Sequence, residues 1–309
     1  MDKQRAARWI TDTVIVSSLA LLSSPALAQS VGSVADSTVS NGTFDGFLDL
    51  LVGMAYLVGA FFGLKAALQL RDHADSPQNV KLGMPMTSAL VATLMLALPS
   101  LFTTLRETFE LTGDMLGAYR TMSAGSPGAA SDLSGMAVAF AANIPALAKF
   151  VSFGAICAGA FLIFRAILLL PQAQQGRVEG SKIFWLMISG IGLWSLLPMI
   201  TMAMGSLGMT NTNSANLLTA KYSQAQGGGF DGTIAAVLTF VQFLGLIAFV
   251  RGMLILKALG EHKEGAMGRA LTHIGGGSAA MNISWFVGVL ARSIGAQGAI
   301  CGISTVICG

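Results

Sequence analysis

The stretch Gly59-Ala60-Phe61-Phe62-Gly63-Leu64-Lys65-Ala66-Ala67-Leu68-Gln69-Leu70 occurs three times in this chain. The second copy runs from Gly159 through Arg165 to Leu168 and Leu170, the third from Gly245 through Arg251 to Leu254 and Leu256. In each copy a glycine stands six residues before a lone basic residue, and leucines follow three and five residues after it. Each copy lies near the end of a long apolar run. A short polar loop and a second apolar run come next. Repetition of this kind dictates architecture before any local feature does. It predicts one helical hairpin used three times: an all-α membrane protein with six transmembrane helices behind a cleavable signal peptide.

Composition supports lipid as the solvent. Hydrophobic residues make up 53% of the 309 residues and charged residues 11%, against roughly 25% charged in an ordinary soluble domain. So few charges cannot form the shell that a soluble core of this size needs. The formal charge of +3 is too small to suggest sequence-specific nucleic-acid binding. Where the charges fall along the chain matters more.

Residues 1–28 read as an export signal. Lys3, Arg5 and Arg8 form a basic start, Val14 to Leu22 an apolar core, and Pro25-Ala26-Leu27-Ala28 a small-residue site with cleavage after Ala28. The competing reading is an uncleaved membrane helix. Ser23, Ser24 and Pro25 stop the run well short of the roughly 20 residues that cross a bilayer, which favours cleavage. Residues 29–46 form a polar, exported N-terminus. Hairpin 1 with an amphipathic extension covers 47–122, a linker 123–146, hairpin 2 147–209, a second linker 210–233, hairpin 3 234–294 and an exported tail 295–309. The expected spans are Phe47 to Leu70, Thr87 to Leu105, Leu147 to Leu170, Ile183 to Leu207, Ile234 to Leu256 and Ile274 to Ile294. Helices are required because hydrocarbon offers no partner for backbone N–H and C=O groups. Pro99 and Pro198 would kink or end the second helix of the first two hairpins; the third has no proline there.

Orientation follows from the basic residues. The hairpin loops hold Arg71, Lys81, Arg177, Lys182, Lys257, Lys263 and Arg269, while the other connecting segments are poorer in basic residues and richer in Asp and Glu. The positive-inside rule then places the loops in the cytoplasm and the C-terminus in the periplasm.

Three groups of residues stand out. Lys65, Arg165 and Arg251 lie about one and a half turns inside the loop end of their helices. Long basic side chains at this depth snorkel to the headgroups; the alternative is that they face a groove or a neighbouring subunit, contacting lipid phosphates or carboxylates. Gly59, Gly63, Gly159 and Gly245 read as helix-packing surfaces, since small residues let backbones approach closely in lipid. Cys157 falls within an apolar helix and reads as a packing residue. Cys301 and Cys308 lie in the exported tail, where an oxidising compartment favours a disulfide between them; lipid modification and simple burial are the competing readings. No HExxH, GxSxG, Walker or CxxC pattern occurs, so neither catalysis nor a metal or organic cofactor is expected. Acidic residues are nearly absent from the apolar runs, which argues against a proton- or ion-coupled transporter.

A signal peptide followed by an apolar helix, a short basic loop and a second apolar helix resembles the conjugative pilins of type IV secretion systems. Gly59 to Leu105 and Gly245 to Gly295 are also similar to small inner-membrane proteins of type IVB machines, the Dot/Icm-like and IncI-type conjugation systems. The resemblance rests on the Gly-x5-Lys/Arg element, the polar loop and a Gly/Ala-rich or Leu-Pro-containing second helix. Three hairpins in one chain depart from these patterns, which use one or two. What the resemblance implies is a structural subunit of the bacterial inner membrane that oligomerises and meets other apparatus subunits. It also implies phospholipid as a ligand, with Lys65, Arg165, Arg251, Arg71, Arg177 and Lys182 as the positions that contact lipid phosphate. The rival from another class is a small-solute transporter or channel of three repeats, marked by broken helices and polar groups facing one another in the membrane. On the topology above, a maleimide should label Cys301 and Cys308 only after reduction; equal labelling without reductant excludes the disulfide.

Overall fold

Long apolar runs with no competing turn residues form helices, because a helix satisfies its own backbone. The computed structural model describes residues 37–38, 43–76, 78, 81–109, 141, 143–206, 230–261 and 263–295, and no strand occurs among them. Hairpin 1 comprises α1 (Thr43–Asp75) and α2 (Gly83–Leu96), followed by α3 (Leu98–Phe109). Hairpin 2 comprises α4 (Ile144–Gln174) and α5 (Gly180–Trp194), followed by α6 (Leu196–Ser206). Hairpin 3 comprises α7 (Phe230–Leu256), a 3-10 helix (Lys257–Glu261) and α8 (Ala266–Met281), followed by α9 (Ile283–Ser293). The expected signal peptide, most of both linkers, the far part of the amphipathic extension and the tail with Cys301 and Cys308 lie outside the described residues; α1, α4 and α7 start at Thr43, Ile144 and Phe230, a few residues inside the stretches expected as polar N-terminus and linkers.

Among the described residues three helical stretches are long and apolar enough to cross a membrane: Gly46–Asp75, Ile144–Gln174 and Thr233–Glu261. Each holds about 30 residues, or about 45 Å at 1.5 Å per residue, against about 30 Å of hydrocarbon. Their outer surfaces are apolar too. Leu57 is 74% exposed, Leu64 64% and Phe61 63%, a display that water tolerates poorly over so wide an area.

The return runs differ from the continuous helices that the sequence predicts. α2, α5 and α8 hold 14, 15 and 16 residues, about 21–24 Å at the helical rise, and each stops at a break. The breaks fall at Ala97, Ser195 and Asn282, after which a new helix starts. α5 and the segment Pro198–Ser206 are bent by 98°; taken as one broken span, they bring the number of spans to four. The prolines account for two breaks, since Pro99 and Pro198 have no N–H to give the carbonyls of Met95 and Trp194. The Ser195 hydroxyl also donates to the carbonyl of Ile191 at 2.7 Å, a bond that bends helices. Hairpin 3 breaks without proline. Asn282 has φ −111° and ψ 41°, close to the −96° and 46° of Ser195.

The repeat glycines pack at matching places, beside the turn that precedes each break. A Cβ on Gly159 would lie 2.6 Å from the backbone nitrogen of Trp194 and 2.7 Å from the carbonyl oxygen of Gly190. A Cβ on Gly245 would lie 2.8 Å from the carbonyl oxygen of Gly277 and 2.8 Å from the nitrogen of Met281. The contact is reciprocal: a Cβ on Gly190 would meet the Gly159 carbonyl, and one on Gly277 the Gly245 carbonyl. In hairpin 1 Ala92 stands five residues before the break, where hairpins 2 and 3 have glycine. Gly59 there meets only side chains, those of Leu96 and Met95, and Gly63 faces the Ala92 Cβ at 3.8 Å.

The hairpins stand in chain order with hairpin 2 in the middle. α4 is the most enclosed of the three long helices and α1 the least. Phe153, Ile156, Ile163 and Ile167 of α4 pack against Leu51 and Ala55 of α1 and Val91 and Met95 of α2. Another face of α4, with Ala148, Ala155, Leu162 and Ala166, joins Leu246, Phe249 and Met253 of α7. Phe102, just past the first break, stacks on Trp194, just before the second, with ring centroids 4.4 Å apart. Gly159→Ala should therefore lower stability in detergent by about 2 kcal/mol, because backbone must move to admit the methyl group. Gly63→Ala should be neutral or stabilising by up to about 1 kcal/mol, since Ala is the better helix former. Thermal unfolding of both variants checks the contrast.

Candidate functional site

The three repeat cations occupy one position in their hairpins. At about 100° per residue, six residues leave a side chain about 120° around the helix from the glycine. The glycine faces the hairpin partner, so the basic residue faces away from it. Lys65, Arg165 and Arg251 are all exposed, and none lies in the interior of a single copy. Lys65 Nζ lies 5.6 Å from the centroid of the Phe62 ring, within cation–π range.

The other cations lie at the loop end, where the hairpins are stitched together. Thr87, in the second turn of α2, donates a hydrogen bond to Oε1 of Gln174 at the end of α4. Lys182, in the first turn of α5, reaches Oε1 of Glu261 in the 3-10 helix at 3.7 Å, and Lys263 reaches Oε2 at 2.6 Å. Beneath this pair a Cβ on Gly260 would lie 2.5 Å from the Cα of Lys182. These contacts put the three loops at one end of the bundle. Arg71 is exposed and lies 4.0 Å from Asp75, and Arg177 is exposed in the hairpin 2 loop. That loop turns at Gly176, whose φ of +71° is a conformation glycine adopts without strain. Lys182 is thus held in a seam between hairpins, whereas Arg71 and Arg177 stand at the rim.

The interior holds polar residues that the hydropathy of the sequence conceals. Asn143, Lys149, Ser152, Ser189, Ser195, Thr239, Gln242, Ser278 and Asn282 are all buried. Several close locally: Thr239 donates to the carbonyl of Ala235 at 2.8 Å and Ser278 to that of Ile274 at 2.8 Å. Ser189 reaches across to hairpin 3 and donates to the carbonyl of Met253. Gln242 and Ser152 have no hydrogen-bond partner. The signal that could have found Gln242 is its register. Ala235, Thr239, Gln242, Leu246, Phe249 and Met253 fall on one helical stripe, the stripe that faces the core. Among the described residues no three His, Cys, Asp or Glu side chains gather as metal ligands. Cys157 is buried.

No protein-family model matches this chain, and no curated protein or solved structure matches it. The fold itself defines a class: among the described residues, an all-helical arrangement of three hairpins whose leading helices are long and apolar enough to cross a membrane. At the loop-end seam, close backbone approach should outweigh charge. Glu261→Gln should lower stability by less than about 1 kcal/mol, as for other exposed ion pairs, with the loss shrinking as salt rises. Gly260→Ala should cost more and be insensitive to salt; chemical denaturation at two ionic strengths compares them.

Proposed function

We propose that the chain is a structural multi-pass subunit of a type IV secretion or conjugation apparatus. It sits in the bacterial inner membrane with its hairpin loops in the cytoplasm and its C-terminus in the periplasm. It does no chemistry and holds no metal. Its glycines close each hairpin, and its outward cations meet phospholipid headgroups, neighbouring copies or other apparatus subunits. The observation that carries this reading is the division of labour within the repeat. Gly59, Gly159 and Gly245 face inward on the hairpin partner, while Lys65, Arg165 and Arg251 stay exposed at the equivalent position outside. A scaffold needs a rigid inner contact and a repeated outer one, and this arrangement supplies both.

A three-repeat transporter or channel is the second reading. The broken return runs and the buried Gln242 favour it, because discontinuous helices beside polar side chains are how transporters build sites within the membrane. The two readings place the important residues on opposite sides of the helices, so one pair of variants separates them. Arg165→Leu should insert normally yet recover fewer partner subunits and less co-purifying phospholipid in a pull-down from membranes. Gln242→Leu should leave both recoveries unchanged. Unchanged recovery with Arg165→Leu, or a purified assembly free of phospholipid, overturns the scaffold reading.

A further inference from the structure

We propose that copies of this chain join head to tail in the membrane, hairpin 3 of one copy packing on α1 of the next as hairpins 1 and 2 each pack on their successors. This deepens the assembly reading by naming the faces that meet, and it needs no other subunit. Both faces are identified by their place in the repeat.

Each hairpin receives its predecessor on one stripe of its leading helix. On α4, Phe153, Ile156, Ala160 and Ile167 lie in the core shared with hairpin 1. Counted from the repeat glycine, the same places on α7 are Thr239, Gln242, Leu246 and Met253, all buried. Leu246 and Met253 share a core with Leu186 and Leu193 of hairpin 2, and Ser189 of α5 donates to the Met253 carbonyl. One register therefore serves both junctions. On α1 these places hold Gly53, Tyr56, Ala60 and Ala67, all exposed. Among the described residues no hairpin precedes α1 to cover them.

Each hairpin offers its successor the opposite side of the leading helix. Leu51 and Val58 of α1 pack into the core shared with α4, and Val151 and Ala158 of α4 into the core shared with α7. Their counterparts on α7, Val237 and Leu244, are 55% and 46% exposed. The return helices, counted from their breaks, follow the same rule. Val91 of α2 lies in the core with α4, and Ser189 of α5 reaches α7. The counterpart on α8 is Gly276, which is exposed and where a Cβ would meet nothing within 4 Å. The stripe on α1 and the one on α7 and α8 are thus the two halves of a junction that the chain already uses twice.

Lipid is the poorer occupant of these faces. Gly53, Ala60 and Ala67 on one side and Gly276 and Ala280 on the other are small, and small residues let helices in a membrane approach closely; acyl chains gain nothing from them. The internal junction also sets the register between copies. Gly276 takes the place of Ser189 and Ala67 that of Met253, so Gly276 of one copy meets Ala67 of the next. Unlike faces meet, so the contact does not stop at two copies: it closes into a ring or continues as a filament.

The test expresses the full chain without other apparatus genes, in a Cys157→Ala, Cys301→Ser and Cys308→Ser background. One copy carries Ala67→Cys, and a second, differently tagged, carries Gly276→Cys. Oxidation of the membranes should give a disulfide-linked pair bearing both tags, since the internal junction places the corresponding residues in direct contact. No mixed pair, or equal linkage of either variant to itself, overturns the proposal. A second measurement needs no cysteine. Gly276→Leu has open space within one copy, so it should insert with unchanged helix content yet lose the oligomers seen by light scattering in lipid particles cut from the membrane. Gly154→Leu, equally open within one copy but on neither joining face, should keep them. A monomeric native chain, or a Gly276→Leu variant that assembles like it, overturns the proposal. Partner and phospholipid recovery are not read here, so failure leaves the Arg165→Leu pull-down to decide the apparatus role separately.

Discussion

The backbone-to-backbone approach of Gly159 to Gly190 and of Gly245 to Gly277 is the constraint on which the rest of the structure depends. Where lipid surrounds the helices, no hydrophobic drive brings them together, so close packing supplies much of the attraction. With carbonyl oxygens only 2.7–3.0 Å from where a Cβ would stand, any side chain at these positions would part the hairpin. That close contact also sets the roll of each leading helix. Once the glycine faces the partner, the residue six places on must face elsewhere, and the exposure of Arg165 and Arg251 follows from it.

The breaks belong to the same geometry. Ser195 and Asn282 share nearly the same backbone angles and each lies five residues beyond the packed glycine of the return helix. Beyond the break the chain is free to leave the helix line and pack sideways. α6 does so, placing Leu196, Ile200 and Met204 in the core shared with Met281. The Phe102–Trp194 stack performs the same service between the first two hairpins. The break end is therefore held by apolar interlocking, and the loop end by a few polar stitches over close backbone contacts.

Much of this was legible in the sequence. Three long helices, the hairpin repeat and the packing role of the glycines follow from apolar run length and from spacing. Helices α1 and α4 continue past the ends expected for them, since Arg71, Asp72 and Gln172 are compatible with helix once it has begun. The break in hairpin 3 was not legible, because asparagine in an apolar run carries no signal as strong as proline. Gln242 and Lys149 were hidden for a related reason: averaging over a span dilutes one polar residue among many apolar ones. Only the stripe shared with Leu246 and Phe249 shows that Gln242 faces inward, and that requires knowing which face is the core.

Hairpin 1 differs from its siblings in one residue that matters, Ala92 in the place of glycine. Its helices lean on side chains where the other two pairs touch main chain to main chain. It is also the first pair to leave the ribosome, before the α4 surface that will hold it exists. A pair of helices clothed in leucine and phenylalanine on its far side can wait in lipid without a partner. When α4 arrives, a joint cushioned by flexible Leu96 and Met95 can still settle against it. The looser first member of the repeat thus gives the growing chain room to adjust, and the rigid pairs that come later fix the final arrangement.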